Sequence, residues 1–108
     1  KDIFIMNIYR LETGFLIAGG TANISTLKIN GGLCRQFFIR TESVNTVFRA
    51  SLLDKNSINV LNYGYHTQEI NDTGSEGALP FPMLGVYTLR ISSASLATTC
   101  SLNLVVQE

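Results

Sequence analysis

Apolar and polar residues alternate with a period of 2 along most of the chain. From Thr99 the even positions Cys100, Leu102, Leu104 and Val106 are apolar, while Ser101 and Asn103 between them are polar. That is a strand with one buried face. Gly85-Val86-Tyr87-Thr88-Leu89-Arg90-Ile91 alternates in the same way, with Tyr87, Leu89 and Ile91 on one side and Thr88 and Arg90 on the other. The small residues of Ser92–Thr98 connect the two, so the pattern predicts a carboxy-terminal hairpin. Phe48, Ala50 and Leu52 share a face of a strand over residues 47–52, and Ile58–Tyr63 returns from it. Between them lies Asp54-Lys55-Asn56-Ser57. Asp, Asn and Ser side chains bond their own backbone in turns, so this reads as a second hairpin.

Further strands are predicted over Ile3–Tyr9, Ala22–Asn30 (closed by Gly31-Gly32), Leu33–Thr41 and Tyr65–Ile70. In Leu33–Thr41, Phe37 and Phe38 place one ring on each side, which points to a strand covered on both faces or to an interface. Helical spacing is missing throughout. Asn71–Leu84 holds Gly74, Gly77, Pro80 and Pro82 and reads as a long loop, because Pro withholds a ladder donor and Gly weakens a strand. Loops of that length commonly carry contacts. Seven or eight short strands at this spacing predict one all-β domain over residues 1–108, an antiparallel β-sandwich of immunoglobulin-like or jelly-roll type. Residues 1–17 are its edge strand or a docking arm.

Composition narrows what such a domain does. Eight Lys plus Arg balance eight Asp plus Glu, giving a net charge of zero. A nucleic-acid binder carries a basic surplus, so that class is disfavoured. At 45% hydrophobic and 15% charged the chain is no disordered segment. Its charged fraction falls below the roughly 25% usual in soluble domains, and a neutral exterior favours association. No stretch reaches the ~20 consecutive apolar residues of a spanning helix. The run from Lys1 to Tyr9 is too short for a signal peptide and lacks a following small-residue cleavage site. The sequons Asn23-Ile24-Ser25 and Asn71-Asp72-Thr73 have meaning only on a secretory route. Cys34 and Cys100 either form one bridge, which would stabilise the domain by roughly 4 kcal/mol through loop closure, or are two small buried hydrophobes.

Site chemistry is sparse. His66 is the single His and has no nucleophile motif beside it, so an edge-strand role is the simpler reading. Glu42, Asp54, Glu69 and Asp72 could meet in space but sit in no catalytic motif. Zinc would require Cys and His at short spacing. The oxygen-rich stretches Asp54–Ser57 and Asn71–Thr73 with Glu76 are more simply turns than calcium loops. Gly19-Gly20 and Gly31-Gly32 lack the Lys of a phosphate loop. Arg35, Arg40 and Arg49 interleave with Phe37, Phe38 and Phe48, but Glu42 and Asp54 among them argue for a mixed polar face rather than a nucleic-acid platform. No enzyme, cofactor or metal is therefore expected. Exposed hydrophobes remain: Ile3, Phe4, Ile5, Ile8, Tyr9 and Phe15 in the amino-terminal segment, and Leu79, Phe81 and Met83 interleaved with Pro80 and Pro82. The first group either pairs within its own domain or adds to a neighbouring copy. The second either folds back over the core or meets a partner.

The block Gly85–Ile91, followed by Leu102-Asn103-Leu104-Val105-Val106, resembles the last two strands of immunoglobulin-like and jelly-roll sandwich modules. The chain departs from antibody-type domains in having no Trp, in placing Leu89 two residues after Tyr87 where those have Cys, and in carrying Cys100 in the last strand. Small, poor in charge and rich in Asn, Ser and Thr, the whole chain is similar in style to bacteriophage virion components such as decoration and tail or head-fibre accessory proteins. The resemblance implies a non-catalytic structural subunit of a virion or other extracellular assembly. Its partners would be further copies of itself or other subunits, with no nucleic acid and no membrane. The alternative is a carbohydrate-binding module of a secreted or surface protein, with Tyr63 and Tyr65 stacking on sugar rings.

Overall fold

Burial alternates residue by residue along Thr98–Gln107 and along much of the described parts of Ala22–Thr41 and Phe81–Ser92. In the computed structural model, which describes residues 6–17, 22–74, 79–92 and 94–108 and side chains from residue 26 onward, eight strands are present. They are β1 (Met6–Ile17), β2 (Ala22–Thr41), β3 (Val47–Leu53), β4 (Asn59–Asn62), β5 (His66–Thr67), β6 (Glu69–Asp72), β7 (Phe81–Ser92) and β8 (Thr98–Gln107). All pairings are antiparallel and join in the order β1-β8-β2-β7-β3-β4, with β5 added to β3 and β6 to β2. The protein is thus all-β, built as one curled sheet. Leu27, Ile29, Phe37 and Ile39 of β2 share a single core with Phe48 and Leu52 of β3, Leu89 and Ile91 of β7 and Leu102, Leu104 and Val106 of β8.

β2 organises this sheet. The two strands expected on either side of Gly31-Gly32 are one strand of 20 residues. The glycines mark a bend within it, with φ of 123° and 138° and a shift of pairing register between Ile29 and Gly32. β2 pairs with β7 before the bend and on through Cys34; from Leu33 it also pairs with β8, and from Phe37 it lies between β8 and β6. The expected β7–β8 hairpin does not form, because β2 stands between the two strands. Ser95 holds the connection down on β3, its N–H donating to the Val47 carbonyl and its Oγ accepting from the Val47 N–H. Local alternation identifies strands but not their partners, and a small-residue connection serves a crossover as well as a turn.

The expected loop over 71–84 is shorter at both ends. Asp72 closes β6, and Phe81, Pro82 and Met83 open β7 opposite Cys34, Leu33 and Gly32. β3 meets β7 only from Thr88 onward. Pro82 therefore sits on a stretch paired on one side among the described residues, the edge setting in which a strand accepts Pro. The β3–β4 turn forms as expected: Asp54 Oδ1 accepts from the N–H groups of Asn56 and Ile58 at 2.8 and 3.0 Å. The expected strand Tyr65–Ile70 breaks at Gln68, whose φ is +67°. There the chain leaves β3 and joins β2.

Cys34 and Cys100 are both free and buried. Register explains why. Cys34 lies opposite Val106 and Cys100 opposite Thr41, separating them by about 20 Å along the strands at ~3.3 Å per residue. A disulfide needs Cα atoms within about 7 Å. Burial pushes the Cys34 thiol up to about 11 and the Cys100 thiol up to about 12.

Candidate functional site

On the second half of β2, burial alternates: Phe37 and Ile39 are fully buried, while Phe38 is half-exposed and Arg40, like Glu42 just past the strand, is exposed. Directly opposed residues of an antiparallel pair share a face. Phe38 pairs with Asn103 of β8 on one side and Asn71 of β6 on the other. Arg40 pairs likewise with Ser101 and Glu69. The outward face of β8-β2-β6 is therefore a half-exposed ring flanked by two Asn, followed by a row of Ser101, Arg40 and Glu69.

Side chains on this face hold one another. Gln36 Nε2 donates to Asn71 Oδ1 at 2.9 Å, and Arg35 Nε to Gln107 Oε1 at 2.7 Å. Arg40 Nη1 lies 3.5 Å from Glu69 Oε1, and Thr99 Oγ1 donates to Glu42 Oε2 at 2.7 Å. Exposed pairs of this kind add little stability, on the order of 0–1 kcal/mol each. Their consequence is order. At its far end the face runs into a cleft of about 630 Å³ lined by Arg40, Glu42, Val44, Gln68, Thr99 and Ser101. Gln68 is pinned in its left-handed conformation: its N–H donates to the Thr46 carbonyl, and its own carbonyl accepts from the Thr41 N–H and Oγ1.

A second, smaller groove of about 350 Å³ lies between the β3–β4 turn and the residues around Gly85. Leu84 and Val86, 76% and 44% exposed, stand on its β7 wall, and Ile58 is 58% exposed at the turn. These apolar side chains were not singled out from sequence. For Leu84 and Val86 the signal was an apolar residue at two successive outward positions of the β7 alternation, before Thr88 and Arg90.

The expected site residues distribute unevenly. Ile3, Phe4 and Ile5 lie outside the described residues. Ile8, Tyr9 and Phe15 fall on β1, which pairs with β8 and ends the sheet, opposite Val105, Leu104 and Cys100. Leu79 and Met83 are not surface anchors: both are buried in the core and Phe81 packs half-buried against it, so this segment folds back. Tyr63 and Tyr65 do not share an exposed face. Tyr63 is buried, stacked on Phe37 with ring centroids 4.8 Å apart, and its hydroxyl donates to the buried Asp72 Oδ2 at 2.8 Å. Tyr65 is exposed, with the Arg49 guanidinium 5.3 Å from its ring centre. His66 is half-buried with Nδ1 donating to the Gly64 carbonyl at 2.8 Å. Of the four carboxylates, Glu42 lines the cleft, Glu69 pairs with Arg40 beside it, Asp54 caps a turn and Asp72 is in the core. Among the described residues no three His, Cys, Asp or Glu side chains converge on a point. The face around Phe38 was legible only as the row Gln36, Phe38, Arg40, Glu42; its flanks come from β6 and β8 and need the register. Comparison with protein-family models and with curated proteins finds no match for this chain.

Proposed function

We propose that the protein is a non-catalytic structural subunit of a virion or other extracellular assembly, packing against further copies of itself or other subunits. In this reading the halves of the bent β2 carry two facing layers, a sandwich in packing although continuous in pairing. The observation that carries it is the apolar pair on β7. Leu84 and Val86 project from a paired strand beside Lys28 of β2 and across a groove from the Ile58 turn. Apolar side chains fixed on a strand lose little entropy on docking.

Covering a large aliphatic side chain contributes about 1.5–3 kcal/mol. Leu84 and Val86, only partly exposed already, would supply about 3 kcal/mol per copy. Association costs at least about 4 kcal/mol, so one such contact is weak and a repeating set of contacts is required. The test is sedimentation velocity on the full chain over a range of concentrations, with electron micrographs of the same samples. Concentration-dependent growth is expected, and L84K/V86K should return the chain to a monomer. A wild-type monomer at every concentration up to millimolar, or assembly unaltered in L84K/V86K, overturns the reading.

A further inference from the structure

We propose that the outward face of β8-β2-β6 binds a neutral oligosaccharide, with the Phe38 ring as platform and Asn71, Asn103, Arg40 and Ser101 as hydrogen-bonding groups around it. A sugar ring presents apolar C–H groups on its faces and hydroxyls around its rim. It is matched by an aromatic face bordered by planar amides and hydroxyls. That arrangement is what the register creates: Asn71, Phe38 and Asn103 in one row, with Glu69, Arg40 and Ser101 in the next. The cleft of about 630 Å³ continues the same surface past Glu42 and Thr99, giving a chain of sugar units a direction in which to extend.

Charge and order select the ligand class. Arg40 is matched by Glu69, and Glu42 adds a second carboxylate, so an anionic polymer is not attracted. Phe38 is the one aromatic in the two rows, which is too little apolar area for a protein hot spot. The Gln36–Asn71, Arg40–Glu69 and Thr99–Glu42 contacts hold the polar groups before a ligand arrives, and such preorganisation lowers the entropic cost of binding. The proposal is independent of the assembly reading, since its residues lie on the other half of β2 from Leu84 and Val86.

The test is an amide chemical-shift titration of the full chain with cellohexaose, maltohexaose, chitohexaose and mannohexaose, each to millimolar concentration. At least one should shift residues 36–40, 69–71 and 99–103 together. Phe38→Ala should weaken that binding at least about tenfold, as expected for loss of an aromatic anchor. Asn103→Ala, a milder surface change, should weaken it severalfold, and Tyr65→Ala should leave it unchanged. No shifts with any of the four sugars, shifts centred elsewhere, or binding that survives both Phe38→Ala and Asn103→Ala overturns the proposal.

Discussion

Tyr63→Phe isolates one buried hydrogen bond. The Tyr63 hydroxyl donates to Asp72 Oδ2 at 2.8 Å, and both residues are almost completely buried. The Phe ring keeps the stack on Phe37, so the change removes one oxygen and little packing. A hydrogen bond to a carboxylate contributes about 1.5–3 kcal/mol net, and its loss leaves the acceptor with less compensation for its burial. Asp72 Oδ1 still accepts from the Gly74 N–H, which argues for the middle of that range. We expect destabilisation of about 2 kcal/mol, a sizeable part of the 5–15 kcal/mol typical of a domain. Tyr63→Ala, which also removes the ring, should cost about 3–5 kcal/mol. Urea unfolding followed by circular dichroism measures both, and an unchanged slope would confirm that only native stability moved. The cycle closes with Asp72→Ala, which removes the acceptor and in whose background Tyr63→Phe should cost much less. A Tyr63→Phe loss below about 0.5 kcal/mol, the scale of an ordinary surface change, would refute the reasoning that this bond anchors β6 to the core.

Three further outcomes follow from particular positions. A Cβ on Gly32 would overlap the Gln107 carbonyl oxygen and crowd Val106, whereas one on Gly85 meets nothing, and both have positive φ. Gly85→Ala should therefore cost only the backbone strain of about 1–2 kcal/mol, with Gly32→Ala clearly worse in the same urea assay; equal costs would contradict the bend. Thr46 Oγ1 is buried without a partner, so Thr46→Val should be neutral or stabilising by up to about 1–2 kcal/mol in thermal melts, and a marked loss would reveal a bond to that hydroxyl. The buried thiols, at about 11 and 12 against an ordinary 9.0, hold their protons longer in the folded chain than in the unfolded one. Their contribution is intact below pH 9 and is lost as pH rises through 11 to 12. Urea midpoints of the reduced protein should fall more steeply above pH 9 than those of a Cys34→Ala/Cys100→Ala variant, and parallel curves would count against thiol burial as the cause.

Much of the fold was legible because period 2 reports burial on one face. Leu102, Leu104 and Val106, and Phe48, Ala50 and Leu52, are buried as their alternation implied. The Asp54 turn was legible because its cause is local. Pairing was not: nothing within 85–106 says that β2 intervenes, since that choice is made by residues some sixty positions upstream. The Gly31-Gly32 pair misled in a related way. Two glycines stop a strand or bend it, and the difference lies in whether the next segment finds a partner in the same sheet. Tyr63 misled because a polar handle on an aromatic suits a surface equally well as a buried bond, and Asp72, its acceptor, is nine residues away at the end of β6. Leu79 and Met83 looked exposed because prolines surround them, yet Pro82 tolerates a strand wherever one of its sides is free.

The bend in β2 also bears on how two activities could coexist. Residues before Gly31 place β7, and with it Leu84 and Val86, on one half of the sheet. Residues after Gly32 place Phe38 between β6 and β8 on the other. A subunit held in an assembly through the first half would leave the Phe38 face turned toward solvent and free to meet a glycan. Repetition across the assembly would then raise the avidity of a weak single-site contact, by mass action within one particle. The two proposals thus fail separately but reinforce each other physically. Weak sugar binding by the isolated chain is what such a surface needs when many copies present it side by side.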